Sequence, residues 1–127
     1  MTEKKKILVV DDEVHILHVV SLKLRNAGYE VLTAQDGQEA LELAQIERPD
    51  LLITDYQMPH LTGLELCQRL KHAPTTRDLP AIMLTARGFS LDDQAVEATG
   101  IKVCLTKPFS PREVLNIVND LLAPATA

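Results

Sequence analysis

The sequence predicts an α/β fold: a doubly wound, flavodoxin-like parallel sheet of five strands in the order 2-1-3-4-5, with five helices. Strand-length apolar runs alternate with segments of helical period along the whole chain. The runs beginning at Ile7, Leu51 and Ala81 are apolar throughout, as strands buried on both faces must be, whereas those at Tyr29 and Ile101 are mixed and belong at the edges. Right-handed crossovers between central and edge strands then favour the stated order.

The elements justify themselves in turn. Ile7-Leu8-Val9-Val10 is the first strand and runs into Asp11-Asp12-Glu13. Val14, Leu17, Val20, Ser21 and Leu24 recur at helical spacing, with Gly28 as terminator. Tyr29-Glu30-Val31-Leu32-Thr33-Ala34 is the second strand. Asp36 caps the next helix, with Glu39 as capping-box partner and Ala40, Leu41 and Ala44 on its inner face. Leu51-Leu52-Ile53-Thr54-Asp55 follows Pro49 and ends at a carboxylate before a Met58-Pro59 turn. Thr62 and Glu65 form a second capping box and open a helix whose Leu64, Cys67 and Leu70 or Leu66 face inward, up to the breaker Pro74.

Ala81-Ile82-Met83-Leu84-Thr85 is the fourth strand and stops at a hydroxyl. A short, weak helix is expected over 90–99, with Gly100 as its stop. Ile101 to Thr106 alternates apolar and polar residues, as a half-buried edge strand does, and leads into Lys107-Pro108-Phe109. Ser110, Pro111 and Glu113 provide cap, first-turn proline and capping-box partner for the last helix, which turns Val114, Ile117, Val118 and Leu121 inward. Residues 1–127 read as a single domain with a frayed tail over 123–127.

Composition excludes several classes. A net charge of −5 leaves no footprint for direct binding of nucleic acid, and Lys4 to Lys6 serve to keep the first strand soluble. The apolar run after them is too short for a signal peptide or membrane span, so a cytoplasmic protein without membrane contact is expected. Cys67 and Cys104 have no metal-ligand spacing and are expected to be buried reduced thiols. His15 and His18 lie one turn apart as a surface pair, His60 is near the acidic strand end, and His72 is exposed; none is expected to donate phosphate.

The predicted order places the switch point between the first and third strands, which brings Asp11 and Asp12 opposite Asp55. The fourth and fifth strands carry Thr85 and Lys107 to the same end. Two like charges about 4 Å apart cost on the order of 4 kcal/mol near a protein surface, so the acids need a counter-charge. Lys107 provides one, and a hard divalent cation with oxygen ligands provides the rest; Mg²⁺ binds one or two carboxylates while keeping waters and a phosphate oxygen. Asp55 is then the candidate nucleophile toward phosphorus, with Thr85 offering a hydroxyl to a phosphoryl oxygen. Each residue alone has a plainer reading as a cap, a turn or a solvated loop. Their joint arrival at the ends of four strands does not.

Four motifs, Val9-Val10-Asp11-Asp12-Glu13, Thr54-Asp55-Tyr56-Gln57-Met58-Pro59 with Gly63, Leu84-Thr85-Ala86, and Leu105-Thr106-Lys107-Pro108-Phe109, make nearly the whole chain resemble a response regulator receiver domain of two-component phosphorelays, similar to chemotaxis regulators. The resemblance implies that Asp55 accepts a phosphoryl group from a phosphohistidine on a sensor histidine kinase or phosphotransfer protein. It implies Mg²⁺ bound by Asp12, Asp55 and the main-chain carbonyl of Gln57, with Asp11 acting largely through water, and Thr85 and Lys107 on the phosphoryl oxygens. It also implies a cis peptide between Lys107 and Pro108. On that reading the chain is not an enzyme beyond its own phosphorylation and dephosphorylation. Its output is a downstream protein bound by the face made of the fourth helix, fifth strand and fifth helix.

Departures from the family pattern set further expectations. The family's switch draws Thr85 inward and turns an aromatic three residues before the lysine, a position held here by Cys104. Phe89, or the loop 86–90 beginning at Ala86, is expected to carry the change instead. Gln57 and Arg87, two residues after Asp55 and Thr85, are expected to slow hydrolysis by blocking water. Lys102 would repel Arg112 in the dimer that DNA-binding members form, so a monomer or weak dimer is expected. Cys104 has no basic neighbour beyond Lys102 to make it a redox centre.

The alternatives are a phosphorylation-independent adaptor of the same fold, or a receiver fragment of a larger transcription factor or hybrid kinase. A flavodoxin-type cofactor binder would present hydroxyls and amides where this chain has Asp11-Asp12-Glu13. A haloacid-dehalogenase-type phosphatase would carry a second Asp where this chain has Gln57.

Overall fold

The computed structural model describes residues 4–86 and 91–122. Its elements alternate in chain order: β1 (Lys6–Val10), α1 (Val14–Asn26), β2 (Glu30–Ala34), α2 (Gly37–Glu47), β3 (Leu51–Asp55), α3 (Gly63–His72), β4 (Ala81–Thr85), α4 (Asp93–Glu97), β5 (Ile101–Thr106) and α5 (Pro111–Leu122). The strands form one sheet in the order β2-β1-β3-β4-β5, and every pairing is parallel. The chain moves outward from β1 to β2, then crosses back to β3 on the other side of β1. That reversal leaves a crevice at the carboxyl ends of β1 and β3.

The sheet is buried on both faces, which explains the uninterrupted apolar runs. On one face Ile7, Val9, Ile53, Ile82 and Leu84 pack with Leu17, Val20 and Leu24 of α1 and Val114 and Val118 of α5. On the other, Leu8, Val10, Leu52 and Met83 pack with Ala40 and Ala44 of α2 and Leu66, Cys67 and Leu70 of α3. All five residues of β3 and all five of β4 are buried, so the side chains at their tips are held on rigid rods. Edge strand β5 alternates instead, with Ile101 buried and Lys102, Cys104 and Thr106 exposed.

The caps form largely as their residue types require. Thr62 Oγ1 accepts from Glu65 N at 3.1 Å while Glu65 Oε1 accepts from Thr62 N at 2.9 Å. Those bonds hold the Glu65 carboxyl below its ordinary value, the backbone bond from Thr62 contributing most. Ser110 and Glu113 make the same reciprocal pair at the start of α5. Asp36 caps α2 by accepting from Glu39 N, but Glu39 reaches past it to Gln35 N, so the expected box is displaced by one residue.

Other expectations need correction. Val14 is 62 % exposed because it opens α1, where the first turn overhangs solvent rather than the sheet. Cys104 is exposed on the outer edge strand, not buried; Cys67 is buried, and burial pushes its thiol up to about 12. Strand β2 begins at Glu30 rather than Tyr29, and α4 spans only Asp93–Glu97 with no buried residue. Gly28 has φ of 101°, which accounts for a glycine after α1. Among the described residues no helix is long and apolar enough to cross a membrane.

Candidate functional site

Four chain segments meet at the carboxyl end of the sheet. Asp11 follows β1 directly, and its backbone N–H donates to Ala34 O of β2 at 3.2 Å. Its side chain is fully buried: Oδ1 accepts from Glu13 N at 2.9 Å, and Oδ2 lies 3.4 Å from Lys107 Nζ. Asp55 is the last residue of β3, itself nearly buried. The chain beyond it is tied down twice, by Tyr56 N donating to Leu84 O at 2.9 Å and Gly63 N donating to Tyr56 O at 2.8 Å.

Carboxylate oxygens of Asp11, Asp12 and Asp55 all lie within 4.8 Å of one another. Lys107 leaves the end of β5 and is anchored by its own N–H, which donates to Thr85 O at 2.8 Å. Its ammonium stands 3.3 Å from Asp55 Oδ1, 3.4 Å from Asp11 and 3.5 Å from Glu13 Oε1. The peptide between Lys107 and Pro108 is cis, as expected.

The electrostatics follow from this crowding. Burial pushes the Asp11 carboxyl up to about 6, and the neighbouring Asp55 adds to the rise against the opposing pull of the Glu13 N–H and Lys107. Burial also raises Asp55, with Asp12 adding to it and Lys107 opposing. For Lys107 burial acts downward, but Asp11, Asp55 and Glu13 together outweigh it and hold the ammonium above its ordinary value. One ammonium thus sits among the carboxylates of Asp11, Asp12, Glu13 and Asp55, an imbalance that a divalent cation reduces. The donor set is hard oxygen, open to solvent on one side, and suits Mg²⁺ with retained waters.

Asp12, Glu13, Asp55, Gln57, Ala86 and Lys107 line an open cleft of about 310 Å³. Asp11 lies beneath it, and Thr85 ends β4 beside it, nearly buried. A second open groove along Asp12, Tyr56, Gln57, Met58, Pro59 and Thr62 adjoins the first. The structure therefore gathers Asp11, Asp12, Asp55, Gln57 and Lys107 with Thr85 and Ala86 at the margin. His60 is exposed and outside the cleft wall. His15, His18 and His72 are exposed, as expected. Cys104 is on β5 with its register partner Met83, and Arg87 and Phe89 fall outside the described residues.

Sequence reasoning missed one participant. In the sequence Glu13 is only the last of an acidic run, yet its carboxylate reaches Lys107. The signal was available: three consecutive acids met a single lysine from the opposite end of the chain.

Comparisons with known proteins bear on the family and the fold. The family described as response regulator receiver domain matches residues 7–119. The chain is 44 % identical over 118 residues to the alkaline phosphatase synthesis transcriptional regulatory protein PhoP of Bacillus subtilis, covering 93 % of this chain and 48 % of that protein. It is 42 % identical over 113 residues to the phosphate regulon transcriptional regulatory protein PhoB of Pseudomonas aeruginosa, covering 87 % and 48 %. The chain thus spans about half the length of the curated relatives it matches. Among solved structures, the chemotaxis response regulator CheY4 of Vibrio cholerae superposes with a TM-score of 0.86 at 38 % identity, covering 94 % of this chain and 100 % of that one. The receiver domain of a Pseudomonas aeruginosa sensor histidine kinase, solved with a magnesium ion coordinated in its active site cleft, gives 0.81 at 29 % identity, covering 93 % and 97 %.

Proposed function

The chain belongs to the response regulator receiver domain family, the phosphoacceptor domains of two-component signalling, and from that premise we propose that Asp55 is its phosphoacceptor. The observation that carries this reading is the Lys107 ammonium 3.3 Å from Asp55 Oδ1, at the tip of a strand buried on both faces. An Asp55 oxygen attacks phosphorus in line while the P–N bond of a donor phosphohistidine breaks, and the imidazole leaves with the bonding electrons. Lys107 draws charge from the transferring group, and Thr85 offers its hydroxyl to a phosphoryl oxygen.

Asp12, Asp55 and the main-chain carbonyl of Gln57 would hold Mg²⁺, with Asp11 acting through water. The ion would neutralise the meeting of an anionic nucleophile with an anionic donor. The protein's part is to hold Asp55 still, to keep Asp11 fixed through Glu13 N and Lys107, and to place the ammonium. Gln57 and Arg87 then govern access of the water that reverses the reaction.

The donor is a sensor histidine kinase or phosphotransfer protein, and the setting is the cytoplasm. The response passes through Thr85, Ala86 and the segment carrying Phe89 to the face of α4, β5 and α5, where a downstream protein binds. That the relatives PhoP and PhoB are transcriptional regulatory proteins favours a place within a DNA-binding regulator. Any contact with DNA would then lie outside the acidic chain described here.

Intact-mass measurement after acetyl phosphate treatment tests the proposal. One phosphoryl group is expected with Mg²⁺ and none without it or in Asp55→Ala. Equal labelling of wild type and Asp55→Ala would overturn it.

A further inference from the structure

Glu13 occupies the helix position where a side chain ordinarily caps, yet it makes no capping hydrogen bond to α1. Its Oε1 instead lies 3.5 Å from Lys107 Nζ, on the wall of the cleft. An ammonium has three N–H donors. Here three carboxylates surround it, Asp55 at 3.3 Å, Asp11 at 3.4 Å and Glu13 at 3.5 Å.

Phosphorylation removes the charge of Asp55 and frees the one donor it engages, but the phosphoryl group brings three acceptor oxygens, so a further donor for them must come from Asp11 or Glu13. Asp11 cannot yield cheaply, because it is fully buried and its other oxygen is fixed by Glu13 N. Releasing it would leave an unpaired charge out of water. Glu13 can yield, since its side chain is 61 % exposed and water solvates it once it lets go.

We infer that Glu13 is a positioning residue that stands in for the phosphoryl group, holding the Lys107 ammonium while Asp55 is unphosphorylated and surrendering it when Asp55 is phosphorylated. This rests on Asp55 as the phosphoacceptor and extends that reading to a residue outside the metal and phosphoryl ligands. The carboxylate is an internal competitor for the same donor. It preserves the lysine's place over the cleft and lowers the gain from binding an outside anion.

The test measures phosphorylation with acetyl phosphate at saturating Mg²⁺, and beryllofluoride affinity, in wild type, Glu13→Gln and Glu13→Asp. In the first assay an Asp55 oxygen attacks phosphorus, the bond from phosphorus to the acetyl oxygen breaks, and acetate departs with the electron pair. Glu13→Gln should bind beryllofluoride and react about two- to five-fold better, the range expected for an exposed ion pair. Glu13→Asp keeps the charge but is one methylene short of Lys107, so it should behave like Glu13→Gln.

Unchanged or slower behaviour of Glu13→Gln would overturn the inference. So would Glu13→Asp matching wild type while Glu13→Gln is faster, because charge at the rim would then suffice without the contact. Failure of wild type itself to take a phosphoryl group would overturn the assignment of Asp55 on which the inference stands, which keeps the two failures apart.

Discussion

Gly63 opens α3 directly against the backbone of Asp55: a Cβ built at Gly63 would collide with the Asp55 carbonyl oxygen and come within 2.8 Å of Met83 Sδ. The helix can approach the strand tip this closely only without a side chain. Gly63→Ala must therefore displace either the helix or the Asp55 main chain. A loss of about 1–3 kcal/mol in urea unfolding is expected, the usual cost of overfilling a packed site. Phosphorylation at Asp55 should slow as well, and an unaltered rate with unaltered stability would show that the contact does not position the acid.

Lys107→Met removes the cation that Asp11 and Asp55 share. The Asp11 carboxyl, pushed up to about 6 with Lys107 present, should titrate still higher without it, as followed by carboxyl-carbon NMR. Mg²⁺ affinity should persist, because the oxygen ligands remain, while the phosphorylation rate falls by about 100-fold or more, as for loss of a charge-stabilising donor.

Stability should depend on pH in a direction set by Asp11. Its carboxyl is raised from 3.8 to about 6, so the folded chain binds this proton more tightly than the unfolded chain does. Metal-free protein should therefore gain stability as pH falls through about 6 toward 4, by at most about 3 kcal/mol from this group. Asp55 is raised too and acts in the same direction. Asp11→Asn, which can still accept from Glu13 N, should be more stable than wild type at pH 7.5 without metal and show a flatter pH profile. A wild-type profile that falls with acid across this window would contradict the charge crowding.

Thr62 caps α3 on the margin of the second groove. Thr62→Ala should cost about 1 kcal/mol in urea unfolding. The backbone N–H at position 62 still donates to Glu65 in this variant, so the Glu65 carboxyl should rise only part of the way toward its ordinary value.

The sheet was legible because its physics is written locally. Central strands buried on both faces require unbroken apolar runs, and only β1, β3 and β4 supply them. Strand order followed from those runs, and the order alone brought Asp11 and Asp12 opposite Asp55. What stayed hidden depends on where an element begins or how far a side chain reaches. The spacing that placed Leu17, Val20 and Leu24 inward also included Val14, since periodicity does not say which first residue overhangs the sheet. Glu39 turned to Gln35 N because two neighbouring backbone donors compete for one carboxylate. Cys104 looked like core by residue type, but β5 is the last strand and leaves that position exposed. Glu13 meeting Lys107 is a contact across 94 residues, which no local pattern encodes.

The most direct test traps the acyl phosphate itself. Protein treated with acetyl phosphate and Mg²⁺ is reduced with borohydride, which converts an aspartyl phosphate to homoserine, and the peptide spanning β3 is sequenced by mass spectrometry. Homoserine is expected at position 55, with Asp11 and Asp12 unmodified. Unreduced Asp55 in protein that carries a phosphoryl group, or homoserine at Asp11 or Asp12, would contradict it.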